Sequence, residues 1–164
     1  MGIFSFAKDI GDKIFNRNKS EQAPAEQPTA TPASTEPTAQ EIANLLLARI
    51  QEQNVNISGL KVSYDGQTDT ATLAGVAKTQ EDRERARLAV GNVQHVATVV
   101  DDIEVETPAD ESRFYTVKAG DNLSKISKEM YGDANQYMKI FDANKPMLSH
   151  PDKIYVGQVL RIPA

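Results

Sequence analysis

Phe114-Tyr-Thr-Val-Lys-Ala-Gly-Asp-Asn-Leu-Ser-Lys-Ile-Ser127 and Pro151-Asp-Lys-Ile-Tyr-Val-Gly-Gln-Val-Leu-Arg-Ile-Pro163 frame the C-terminal part of the chain. Val117 ends a short strand, and Asp121 or Asn122 is placed to cap a helix carrying Leu123, Ile126 and Met130. Gly132 follows that helix where a left-handed C-cap is expected. A second helix turns Tyr137, Ile140 and Phe141 inward, and Val159-Leu-Arg-Ile162 returns as the partner strand. The predicted order is β-α-α-β over residues 113–164.

Upstream, residues 108–112 read as a short polar hinge, and residues 40–107 carry a second pattern. Thr38 with Glu41 has the spacing of a capping box, after which Ile42, Leu45, Leu46 and Ile50 are expected on one helix face. Leu60–Tyr64 and Asp69–Val76 read as strands about a turn at Asp65-Gly66. Thr79 with Asp82 caps a second helix ending near Gly91, and Val96–Val105 alternates as a last strand. This gives α-β-β-α-β, and the whole is an α+β protein of two small domains. Residues 16–39 hold Pro24, Pro28, Pro32 and Pro37 and no Val, Ile, Leu, Met, Phe or Tyr, the composition of a disordered tether. Residues 1–15 read as a short amphipathic helix, with Ile3, Ala7, Ile10 and Ile14 at helical spacing. Lys8, Asp9, Asp12 and Lys13 balance in charge, which favours docking on the protein over a membrane surface.

Composition narrows the function. A net charge of −5 and no cysteine disfavour a generic nucleic-acid surface and exclude thiolate metal sites and cysteine nucleophiles. No apolar run reaches the length of a membrane span. Lys8 and Asp9 interrupt the opening apolar run, so no secretory leader is read there and a cytoplasmic protein is expected. His95 and His150 fall in different domains without patterned partners, and Asp101-Asp102 would face opposite sides of a strand. No enzyme is expected. Glu81-Asp-Arg-Glu-Arg-Ala-Arg87 reads as a solvated, mixed-charge helix face.

The two C-terminal phrases, with Ile140, Phe141, Ala143 and Asn144 between them, resemble the LysM domain. Thr70-Ala-Thr-Leu-Ala-Gly-Val76, Val90-Gly-Asn-Val93 and Val99-Val-Asp-Asp-Ile103 resemble the BON domain. A BON domain followed directly by LysM, after an opening Met1-Gly-Ile-Phe-Ser-Phe-Ala-Lys-Asp-Ile-Gly-Asp-Lys-Ile-Phe15, is similar to the bacterial BON–LysM potassium-binding proteins. The tether is longer here than that family leads one to expect.

The resemblance implies a monomeric potassium sensor or buffer that compacts when the ion binds. Main-chain carbonyls suit a weakly hydrated monovalent cation, and helix C-termini supply them. The ligands the resemblance implies are the main-chain oxygens of Ala7, Ile10, Asp12, Gly91 and Val93. Gly11 and Gly91 can equally be explained as ordinary helix and cap residues. LysM relatives that bind peptidoglycan or N-acetylglucosamine do so in a groove whose positions here are Gly120, Asp121, Asn122, Leu123, Pro151, Asp152 and Ile154. Those residues also suit a cap and turns. The alternative function is a peptidoglycan-binding adaptor whose BON domain contacts a membrane or protein partner.

Overall fold

The computed structural model describes residues 2–5 and 37–164. Strand β1 (Gly2–Ser5) is followed by helix α1 (Ala39–Glu52), strands β2 (Ile57–Asp65) and β3 (Thr70–Thr79), helix α2 (Gln80–Gly91) and strand β4 (Thr98–Thr107). The second unit holds β5 (Arg113–Thr116), α3 (Leu123–Tyr131), a 3-10 turn (Ala134–Gln136), α4 (Tyr137–Ala143) and β6 (Val159–Ile162). The α+β architecture and both element orders agree with the sequence reading.

Local chemistry starts the helices. The Thr38 hydroxyl accepts from the Glu41 amide, while the Glu41 carboxylate accepts from the Thr38 amide at 2.7 Å, so the capping box is complete. Thr79 caps α2 through the Asp82 amide. In the second unit the cap of α3 is Asn122, whose side chain accepts from the Lys125 amide at 2.8 Å. Asp121, the other candidate, instead accepts from the Lys118 amide and the Tyr115 hydroxyl. Gly132 takes the left-handed conformation, φ 79°, and its amide closes on the Lys128 carbonyl.

The four-stranded sheet runs β1-β4-β3-β2. β2 and β3 form an antiparallel hairpin, and α2 carries the chain across to β4, which lies parallel to β3. Ile42, Leu46 and Ile50 of α1 pack with Ala86 and Val90 of α2 over Leu73, Ala77, Val99 and Ile103 of the sheet. Leu45, expected in that stripe, is 42% exposed. It lies about 100° around the helix from Leu46, and the buried face turns the other way, toward Ala43. A bulge between Ser58 and Lys61 brings β2 close to Gly75, where a β-carbon would stand 3.0 Å from Ile57 and Ser58 atoms.

Residues 3–5, expected to begin a helix, are a strand antiparallel to β4, with Ile3 opposite Val100 and Ser5 opposite Thr98. A short isolated helix is marginal in water, whereas the open edge of β4 offers a row of backbone partners. The remainder of that expected helix, and the tether up to residue 36, lie outside the described residues.

The C-terminal unit packs Tyr115, Val117, Leu123, Ile126, Ile140, Phe141, Leu148, Leu160 and Ile162 into its own core. Its two strands, β5 and β6, pair with each other alone. The other edge of β6 is met by two asparagine side chains. Asn92, just past α2, bonds both the amide (3.2 Å) and carbonyl (3.1 Å) of Val159. Asn144, just past α4, does the same for Arg161 at 2.7 Å each way. Each side-chain amide thus replaces a neighbouring strand's backbone at alternate residues.

Helix α2 also carries the charge run, and here the expectation of a solvated face is overturned. Glu84 is 0% and Arg87 1% exposed. Glu84 accepts from Arg161 Nε at 2.5 Å, from the Ser112 amide at 2.8 Å and from Gln80 at 3.1 Å. Arg87 lies 3.4 Å from the buried Asp101 carboxylate and stacks on Phe114, 4.1 Å from the ring centroid. Arg83 joins Asp101 at 3.0 Å and Glu111 at 3.8 Å. A helix pressed between its own sheet and the second domain has little surface left for solvent, so Glu84 pairs across the junction with Arg161 while Arg83 and Arg87 pair with Asp101 of β4.

Breaking such a pair leaves a buried charge uncompensated. Glu84→Ala is expected to destabilise the protein by about 3–5 kcal/mol, measured by denaturant unfolding. Burial alone would raise the Glu84 carboxyl above its ordinary 4.5, but bonds from Arg161, Ser112 and Gln80 outweigh it and hold the value lower. A depressed folded value contributes stability above the ordinary one and loses it as pH falls through the folded one. Glu84→Gln should therefore flatten the decline in stability below pH 4.5.

Candidate functional site

The segment joining α2 to β4 begins where helical carbonyls run out. The last four carbonyls of a helix have no intrahelical amide, and they carry its partial negative charge. In α2 the Leu88 carbonyl accepts from the Asn92 amide and the Val90 carbonyl from the Val93 amide, both at 3.1 Å. Gly91 closes the helix, and Gly91, Asn92 and Val93 are all buried. The Val93 carbonyl accepts from the Val96 amide at 3.3 Å. A carbonyl has two lone pairs, so this bond leaves it able to coordinate a cation. Ala7, Ile10 and Asp12 lie outside the described residues, so of the five expected ligands the structure describes Gly91 and Val93.

Three fastenings hold this segment. Asn92, 0% exposed, bonds Leu88 behind it and Val159 of β6. The Tyr64 hydroxyl donates toward the His95 carbonyl at 2.7 Å. The Ala97 and Thr98 amides both donate to the Asp69 carbonyl. Sequence reasoning marked Gly91 and Val93 and passed over Asn92 between them. An asparagine after a helix is read as a cap, and nothing local says that its amide faces another domain. Tyr64 carries in the sequence only the pattern of a strand residue.

The second candidate is a cleft of about 300 Å³ in the C-terminal unit, lined by Asn122, Leu123, Ser124, Tyr137, Pro151 and Asp152. It brings together four of the seven expected groove positions. Gly120, Asp121 and Ile154 do not line it. Gly120 is left-handed, φ 84°, with its carbonyl accepting from Lys125 Nζ at 2.8 Å. The Lys118 amide holds the Asp121 carboxyl below its ordinary range, aided by Tyr115. Burial and that carboxylate push the Tyr115 phenol up to about 12. Ile154 packs against the core of the unit. Asp121 therefore braces the loop, while Ser124 and Tyr137 join the wall of the cleft.

Among the described residues no helix is long and apolar enough to cross a membrane, and no three acidic or histidine side chains converge as a metal site.

Residues 38–107 match the family described as BON domain and residues 115–163 that described as LysM domain. The chain is 41% identical over 167 aligned positions to the potassium binding protein Kbp of Escherichia coli O6:H1, covering 99% of each. It is 55% identical over 49 residues to an uncharacterized protein of Deinococcus radiodurans, an alignment covering 30% of this chain and 19% of that one. The full-length similarity and the two domains in order establish that the chain belongs to the family of the Escherichia coli potassium binding protein, a BON domain followed by a LysM domain.

Proposed function

We propose that this protein binds potassium without catalysing a reaction, holding the ion with main-chain oxygens drawn from two parts of the chain. Gly91 and Val93 supply one part and Ala7, Ile10 and Asp12 the other. The pairing of β1 with β4 carries the reading. Ser5 sits opposite Thr98, at the end of β4 that the Gly91–Ala97 segment enters. Ala7, Ile10 and Asp12 follow Ser5 in the chain. Two carbonyl sources remote in sequence thus start from one end of one sheet. The full-length relative named for potassium binding supports the choice of ion.

Neutral carbonyls replace the hydration shell of a weakly hydrated ion without creating a large charge mismatch. Because the ligands come from separate segments, the ion stabilises whichever state holds those segments together, and by mass action it shifts the protein toward that compact state. We place this protein in the cytoplasm, as a sensor or buffer acting as a monomer. Potassium at one hundred times its dissociation constant should add about 2.7 kcal/mol of stability and reduce the radius of gyration measured by small-angle X-ray scattering. Sodium and lithium should do so far less. An equal response to all three ions would remove the selective reading, and deletion of residues 1–15 should abolish the potassium response.

The LysM cleft favours a second reading, binding of an N-acetylglucosamine polymer. Asn122, Ser124 and Asp152 give it polar walls, and Tyr137 gives it an aromatic one. Sedimentation with purified peptidoglycan tests this. Retention that disappears in Ser124→Trp, with the potassium response intact, would establish a separate glycan site. No retention of the parent protein would dismiss it.

A further inference from the structure

We propose that Tyr64 and Asp69 are positioning residues for the ion, clamping the Gly91–Ala97 segment so that its carbonyls are held ready for a potassium-sized cation. The inference rests on the reading of that segment as part of the ion site. It comes from an unusual meeting of strained backbones. Asp69 (φ 49°) and His95 (φ 75°) are two of the three non-glycine residues with positive φ among those described. Such conformations persist only where surrounding contacts enforce them. Here one hydroxyl lies between the two, Tyr64 Oη standing 2.8 Å from Asp69 Oδ1 and 2.7 Å from the His95 carbonyl, so that both acceptors share its single proton. Asp69 in turn accepts through its own carbonyl from the Ala97 and Thr98 amides, at 2.9 and 3.2 Å.

The consequences for coordination follow from direction. A residue in the left-handed region reverses the run of successive carbonyls relative to a helix, so His95 sets the curvature of the segment after Val93. The bond from Tyr64 also occupies the His95 carbonyl. Burial, with the Asp69 carboxylate beside it, pushes the Tyr64 phenol above its ordinary range, so the hydroxyl stays protonated and remains a donor. The clamp joins the β2–β3 turn to the end of β4 that pairs with Ser5. It holds the end of the segment, at His95 and Ala97, while Asn92 fastens the start to β6. A carbonyl site whose oxygens are fixed before the ion arrives loses less on binding and discriminates better by size.

The test is isothermal titration of the full chain with potassium and with sodium chloride, at a temperature where circular dichroism shows each variant folded. Tyr64→Phe removes the hydroxyl and keeps the ring. Its potassium dissociation constant should rise about five- to tenfold, the factor associated with one lost hydrogen bond, and its potassium-to-sodium preference should narrow. Asp69→Ala should behave likewise and supplies the test if Tyr64→Phe does not fold, while Asp69→Asn, which keeps an acceptor, should restore most of the affinity. A purely structural Tyr64 would lower the melting temperature of the ion-free protein and leave both the affinity and the ion preference of the folded variant unchanged. That result overturns the clamp while leaving the proposed function standing. Failure of the parent chain to bind potassium in the same titration overturns both.

Discussion

Strand β6 has a strand on one side only, and the way its other edge is satisfied organises the molecule. A two-stranded ribbon is marginal by itself, and the outward amides and carbonyls of Val159 and Arg161 would lose hydrogen bonds if buried unmet. Asn92 and Asn144 answer them, one from the BON domain and one from within the LysM domain. Satisfying that edge therefore requires the BON domain to be present. The Arg161 side chain then reaches Glu84 on the same helix that ends at Asn92. Backbone and side chain of one strand are both bound to α2.

This arrangement explains why α2 is so charged and yet so buried. Its Ala86 and Val90 face the sheet, while Glu84, Arg87 and Asn92 meet the LysM domain and its approach through Ser112 and Phe114. Two buried carboxylates, Glu84 and Asp101, stand against two buried guanidinium groups, Arg87 and Arg161. Burial lowers the Arg87 pKa, and Asp101 and Glu84 counter it. Ion pairs of this kind contribute less to net stability than apolar packing of the same volume would. The Glu84–Arg161 pair acts on geometry, since displacing the LysM domain separates the two charges.

What could be read from the sequence divides along the same line. Thr38 with Glu41, Asn122 with Lys125, and Gly132 act within one turn of chain, and each did what its residue type dictates. The strand alternation that separates Asp101 from Asp102 likewise depends only on the pleat, and the structure buries the first and exposes the second. The burial of Arg87, the exposure of Leu45 and the strand at Gly2–Ser5 depend on which surface arrives from elsewhere in the chain. A mixed charge run has the same local pattern whether it meets water or another domain. The candidate ion ligands are harder still, because every residue has the same carbonyl and a main-chain site leaves only indirect marks, such as a glycine at a helix end. The proposed clamp was hidden for a related reason: a tyrosine in a strand gives no sign that its hydroxyl meets a carbonyl 31 positions further along the chain.

The proposed ion site and the domain junction share a residue neighbourhood too small to behave independently. Asn92 lies between Gly91 and Val93, and the peptide plane that carries the Gly91 carbonyl also holds the amide of Asn92, the residue that grips Val159. Rotating that plane moves the Asn92 side chain, and a shift of about half an ångström takes a 3.2 Å bond outside useful range. An ion that prefers one orientation of the Gly91 carbonyl would therefore have different affinities for the docked and undocked domains, the condition under which a ligand shifts a conformational equilibrium. The reciprocal also holds: docking of β6 must alter ion affinity by the same factor. In the proposed site the LysM domain would bear on ion binding without contributing a ligand, through Asn92, whose amide shares the Gly91 peptide plane.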